Sequence, residues 1–170
     1  MSQVCEELIP EAARRKLATA VDIFVEKDAW QVIEAERLLH CAKQHGLAIK
    51  LHSDQFHCIG GTELGIHLGA LSVDHLEASE PEQITKIAAS STIATILPGV
   101  SLHLGIPAAP GRKLIDTGAA VAVGTRIDVD HRRTGAKERL PSGGVRRRQC
   151  QDPGRNCSGI GNQPRRERDA

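Results

Sequence analysis

Apolar positions along the first 125 residues change their spacing repeatedly, and each change marks an element. Leu8, Ile9, Ala12, Ala13 and Leu17 gather on one side of a helix over residues 6–18. VDIFV (21–25) is apolar throughout except for Asp22, the pattern of a strand covered on both faces, and Glu26 stands at its end. Over 31–45, Val32, Ala35, Leu39 and Ala42 form a helical stripe that Gly46 is placed to stop. LAIKL (47–51) reads as the next strand. A helix near 62–68 follows, with Thr62 as N-cap and Gly69 as its stop, and then the strand ALSV (70–73). Ser79-x-x-Glu82 fits a capping box opening a helix to about Ser90, with Ile84, Ile87 and Ala88 turned inward. TIATIL (92–97) is a buried strand ended by Pro98-Gly99. Residues 100–110 read as a loop, 111–117 as a helix ended by Gly118, and AAVAVGT (119–125) as the fifth strand.

Strands starting at 21, 47, 70, 92 and 119 alternate with helices, which predicts a parallel sheet with right-handed crossovers. Such a sheet is either open and doubly wound or part of a (β/α)₈ barrel. A whole barrel takes about 200 residues or more, so five units are at most part of one.

Charge divides the chain at Arg126. Residues 1–125 carry 10 Lys and Arg against 15 Asp and Glu, whereas 126–170 carry 12 against 6. That second segment has 11 Arg, only 9 apolar residues and no aromatic, which predicts a disordered basic tail beside a folded domain over 1–125. Arg-rich segments attract nucleic acid, but this one has neither zinc-finger spacing nor stacking aromatics, so no specific nucleic-acid partner is expected. Five Cys with no CxxC pair fit reduced thiols in a cytoplasmic protein. No apolar run approaches the roughly 18 residues of a membrane span. MSQVCEELIPEAARRK has no apolar signal-like core, so neither a membrane nor a secretory route is expected. Oligomeric state is left open.

Candidate chemistry collects at strand ends, which face the site in parallel α/β folds. The groups there are Glu26, His52 with Asp54 and Gln55, Asp74 with His75 and Glu77, and Thr125. A neutral imidazole ligates Zn²⁺ or Fe²⁺, and a second histidine one strand away can orient or protonate a substrate. Each residue has a plainer role open to it. A strand-end histidine also serves as a hydrogen-bonded structural residue, and Asp22 and Glu26 can cap a loop or pair with Lys27. Gly60-Gly61 needs only a tight turn and is weak ground for phosphate binding. His40, His45, His67 and His103 read as surface or packing residues.

LHSDQF (51–56), IGGTELGIHLGALSVDHLE (59–77), the LPG turn (97–99) and RKLIDTGAAVAVGT (112–125) together resemble the imidazolonepropionases of the amidohydrolase superfamily. The resemblance runs from about residue 9 to 125. It implies a metal-dependent (β/α)₈ barrel of which this chain holds about five units, strands four to eight. The implied reaction is hydrolysis of the ring C–N bond of the small-molecule substrate 4-imidazolone-5-propanoate to N-formimidoyl-glutamate, in histidine degradation. By the same resemblance His52 corresponds to a ligand for Zn or Fe. Gln55 corresponds to a substrate contact, and His75 to the histidine assisting activation of water or the carbonyl.

The family's pattern is departed from at two places. Its His-x-His metal pair on the first strand has no counterpart before Ala20, and its GT-Asp continues here as GT followed by Arg126. Asp128 and Asp130 stand nearby but off the pattern. The expectation is a middle-to-late piece of such an enzyme, inactive alone, with a tail read out of frame. Two other readings stand beside it: another cyclic-amide hydrolase or deaminase of the superfamily, and a non-catalytic α/β fragment.

Overall fold

A computed structural model describes residues 2–124 of the chain. The expectations for Thr125, Asp128, Asp130 and the 126–170 tail, including a frame shift there, lie outside the described residues. Five strands run parallel in sequence order: β1 (Ala20–Val25), β2 (Ala48–Ser53), β3 (Ser72–His75), β4 (Ile93–Ile96) and β5 (Val121–Val123). A π-helical turn, Val4–Leu8, leads into α1 (Ile9–Arg14), and α2 (Val32–Gln44), α3 (Gly61–Leu68) and α4 (Pro81–Ala88) follow. α5 (Pro98–Leu104) and α6 (Gly111–Thr117) complete the described helices. No described helix is long and apolar enough to cross a membrane.

The alternation of side chains along each strand decides the two faces of the sheet. Ile23 and Val25 on β1 and Ile49 and Leu51 on β2 pack with Ala35, Leu38, Leu39 and Ala42 of α2 and with Leu64 and Leu68 of α3. Val73 and Ala94 continue that layer against Ile84 and Ile87 of α4 and Leu114 of α6. Asp22, Phe24, Lys50, His52, Ser72 and Asp74 occupy the alternate positions, on the face opposite the helices. One side of the sheet is therefore greasy and covered, and the other carries a ladder of charged and polar groups.

Local chemistry moved several boundaries. The helix expected to open at Ser79 and Glu82 is capped one residue later, where the Glu80 N–H donates to Gln83 Oε1 at 3.2 Å. Pro81 at the first helical turn decides this, because its fixed φ suits that position and it has no N–H to leave unpaired. The segment 100–110, read as loop, begins with α5, since Pro98 serves the same starting role there. Thr62 does not cap α3. Gly60, at φ +99°, makes the turn, and the Thr62 hydroxyl donates to Asp54 instead. Gly61 is required for a different reason: a Cβ there would lie 2.9 Å from Val25 Cβ, so only glycine lets α3 approach β1 this closely. The strand expected at 47–51 extends through Ser53, carrying His52 within the sheet.

Candidate functional site

His52 reaches the polar face through the β2 alternation, and its nearest partner comes from β1. Its Nδ1 lies 3.0 Å from Asp22 Oδ1 and 2.9 Å from Oδ2. Burial pushes the Asp22 carboxyl up, but the His52 hydrogen bond and charge, helped by Lys50, outweigh it and hold the group below the usual carboxylate range. One strand over, Asp74 accepts from Ser72 Oγ at 2.7 Å and faces Lys50 Nζ at 3.4 Å. Asp74 is thus a member of the sheet's polar ladder, with its oxygens turned to Ser72 and Lys50.

His75 arrives by a different route. Its backbone pairs in register with Ser53, whose hydroxyl lies toward α3, so a regular strand would put the ring on the helix side. Instead His75 and Leu76 adopt φ of +87° and +71°, conformations that cost L-residues about 1–3 kcal/mol each. This reversal swings the imidazole to the other face, where its ring centre stands 5.2 Å from that of His52 and 6.5 Å from Phe24. Leu76 meanwhile enters the core fully buried. Asp22, Ile23, Phe24, His52, Gln55 and His75 line a cleft of about 280 Å³.

Behind His75 lies Glu77, whose side chain is 3% exposed. Its Oε1 accepts from Ser101 Oγ on α5 at 2.6 Å, and its Oε2 stands 3.5 Å from His75 Nδ1. Both of those last two atoms are buried without a hydrogen bond of normal length. Burial raises the Glu77 carboxyl, but His75 and Ser101 more than offset this and keep it below the usual range.

Two other strand-end acids turn away from the cleft. Glu26 accepts the N–H groups of Lys27 (2.8 Å), Phe56 (3.0 Å) and His57 (3.2 Å), and its Oε1 lies 2.9 Å from His57 Nδ1. Burial opposes its ionisation, yet these donors prevail and its carboxyl sits below the usual range. It staples the β2–α3 loop, the loop-capping role left open by the sequence. Asp54, fully buried at φ +54°, accepts from Ser53 Oγ (3.0 Å), Thr62 Oγ1 (2.8 Å) and Ser79 Oγ (2.8 Å). Burial dominates there and pushes its carboxyl up.

Of the residues singled out from the sequence, His52, Gln55 and His75 therefore share one cleft, while Glu26 and Asp54 are structural. Sequence reasoning missed the pairing of Asp22 with His52, although the only polar residue in VDIFV sits on the face opposite Ile23. It also missed His57, held by Glu26, and Ser101, which a loop reading of 100–110 left unplaced. As a test for a metal, the donor set is short. Among the described residues no group of three or more His, Cys, Asp or Glu could hold an ion, and the carboxylate nearest His52 is engaged on its Nδ1. The described residues do not by themselves fit a metal centre.

No protein-family model matches the chain. It is 66% identical over 125 residues to the imidazolonepropionase of Deinococcus deserti, a match covering 74% of this chain and 31% of that protein. The chain thus spans about a third of the length of the curated relatives it matches. Among solved structures it superposes on a zinc-bound adenosine deaminase from Xanthomonas campestris with a TM-score of 0.52 at 18% identity, covering 71% of this chain and 31% of the other. An amidohydrolase from a Sargasso Sea environmental sample gives 0.53 at 14% identity, covering 71% and 30%. The alternating parallel α/β fold expected from the strand spacing is the one these two solved structures share with it.

Proposed function

We propose that the chain carries an imidazolonepropionase-type segment that supplies part of a site hydrolysing the ring C–N bond of 4-imidazolone-5-propanoate. The observation that carries the reading is that His52, Gln55 and His75, three residues scattered over two strand ends, line one cleft. In this reading Gln55, 9% exposed and two residues past the end of β2, contacts the substrate ring through its amide. His75 moves a proton for the attacking water or the carbonyl, as a positioned imidazole at the edge of a cleft can. His52 is the chain's own contribution to a metal, zinc or iron by the resemblance. Asp22 on its Nδ1 would fix the tautomer and ring orientation, as carboxylates commonly do behind ligating histidines.

The described residues give one imidazole toward such a centre, so the reading assigns the remaining ligands elsewhere and gives the isolated chain no turnover. Residues 1–125 form the catalytic-fold portion in this proposal, and the small-molecule substrate is its only assigned partner. A chimera tests it. Residues 1–125 of this chain replace the matching segment of the Deinococcus deserti relative, and turnover of 4-imidazolone-5-propanoate is measured. Retained turnover that is lost in H52A and falls by two or more orders of magnitude in H75A is the expected result. A folded chimera without turnover would overturn the proposal.

A further inference from the structure

Glu77 is a buried carboxylate served by the Ser101 hydroxyl and its own backbone N–H. Its Oε1 takes the Ser101 proton at 2.6 Å, whereas its Oε2 is sealed from solvent with no hydrogen-bond partner. Among the described residues, no lysine or arginine pairs with it, and the nearest titratable neighbour is His75. That neighbour has the complementary deficit: His75 Nδ1 is also sealed and unpartnered, 3.5 Å from Glu77 Oε2. Unmade hydrogen bonds on buried polar atoms cost about 1–3 kcal/mol each. Two such deficits facing each other are removed together by one arrangement, a proton on Nδ1 donated to Oε2. The opposite tautomer would set a nitrogen lone pair against a carboxylate oxygen, which is repulsive in a site of low dielectric.

We propose that Glu77, anchored by Ser101 of α5, is a positioning residue that holds His75 as the Nδ1–H tautomer and so presents the Nε2 lone pair to the cleft. The ring then accepts a proton there when neutral, and a positive charge formed on it is countered by the carboxylate behind. His75 thereby becomes an acceptor in its resting form, where the sequence alone left open whether it accepts or donates. The backbone reversal at His75 and Leu76 has the same orientation as its purpose: it puts the Nδ1 edge on Glu77 and the ring on the cleft wall. The importance of this tautomer for chemistry rests on the reading of His75 as the proton-transferring residue; the tautomer itself does not.

The test is nitrogen-15 NMR of the histidine rings in the full labelled chain, with the His75 signals assigned from a H75Q sample. The expected wild-type result is a His75 pattern dominated by protonated Nδ1 and unprotonated Nε2 above the histidine titration range. E77Q is expected to lose that dominance, because the amide can donate to Nδ1, and S101A to weaken it less. A wild-type ring carrying its proton on Nε2 would overturn the inference without recourse to any variant, as would an unchanged pattern in folded E77Q. Failure of the functional reading looks different: a chimera without turnover whose His75 is still protonated on Nδ1.

Discussion

Two pairs of acidic side chains on the first three strands and just past their ends behave in opposite ways. Glu26 and Asp54 are surrounded by donors, three N–H groups and an imidazole for one and three hydroxyls for the other. Asp22 and Glu77 are served sparingly. Asp22 is 41% exposed and leans on His52, and Glu77 keeps one oxygen unpartnered beside His75. The difference teaches how to read acids near a strand end. A carboxylate whose acceptor sites are filled by backbone and hydroxyl donors is holding chain segments together, and its removal is a folding event. A carboxylate left short of partners except for a histidine is holding that histidine, and its removal is a chemical event. Both kinds occur on the same small sheet, Asp22 and Glu26 only four residues apart, so position near a strand end does not separate them; satisfaction does.

The comparison breaks most readily at Asp54. D54A removes one acceptor from three hydroxyls that join the end of β2, the start of α3 and the approach to α4. A loss of about 3 kcal/mol is expected in urea denaturation of the chain. D54N should be milder. Burial pushes the Asp54 carboxyl up, so its contribution is fully present below the ordinary carboxylate range and falls away as pH rises through the raised folded value. The neutral amide escapes that loss, and D54N should close the gap on wild type at higher pH. If D54A costs less than the H75A variant, the division into scaffold and site acids fails.

Glu26 carries the opposite sign and a smaller effect. E26A should destabilise by about 2 kcal/mol and raise amide hydrogen exchange at Phe56 and His57, whose N–H groups it accepts. Its folded carboxyl lies below the usual 4.5, so the stabilisation is present above that value and is lost as pH falls through the depressed folded one. E26A should therefore flatten the acid limb of the stability curve, where D54N alters the higher-pH side. Equal acid limbs in E26A and wild type would show that Glu26 is not the staple of the β2–α3 loop.

Much of this was legible in residue order, and the parts that were not have specific causes. Apolar runs and glycine stops located all five strands because buried parallel strands depend on local composition. The α4 cap slipped by one, from Ser79 to Glu80, because Pro81 set the helix start, and the α3 cap fell on Gly60 instead of Thr62 because a left-handed turn was needed there. His52 could be assigned to the cleft because its strand alternates regularly. His75 reached the cleft only through a backbone reversal that alternation does not predict; its strand-end position and the family resemblance, not periodicity, pointed to it. Asp54 and Glu26 were ambiguous because donors such as the Phe56 and His57 N–H groups have no side-chain signature. Ser101 was hidden by a proline-bearing stretch that folds as α5.

The finest division lies between Glu26 and Asp22, two acids four residues apart at and inside the end of β1, each with a histidine. His57 is one donor among several to Glu26, whereas His52 is the principal partner of Asp22. Asp22 is also open to water, so its pairing is screened and should contribute about 0–1 kcal/mol. D22N keeps the shape and one acceptor oxygen, and a shift within that range is expected in low salt, shrinking further in high salt as exposed charges do. The same substitution leaves His52 Nδ1 facing an amide that can donate as well as accept, so the ring's orientation is loosened while the fold is spared. A cost matching that of E26A and insensitive to salt would place Asp22 with the scaffold acids, and the cleft would then lose the carboxylate that gives His52 its direction.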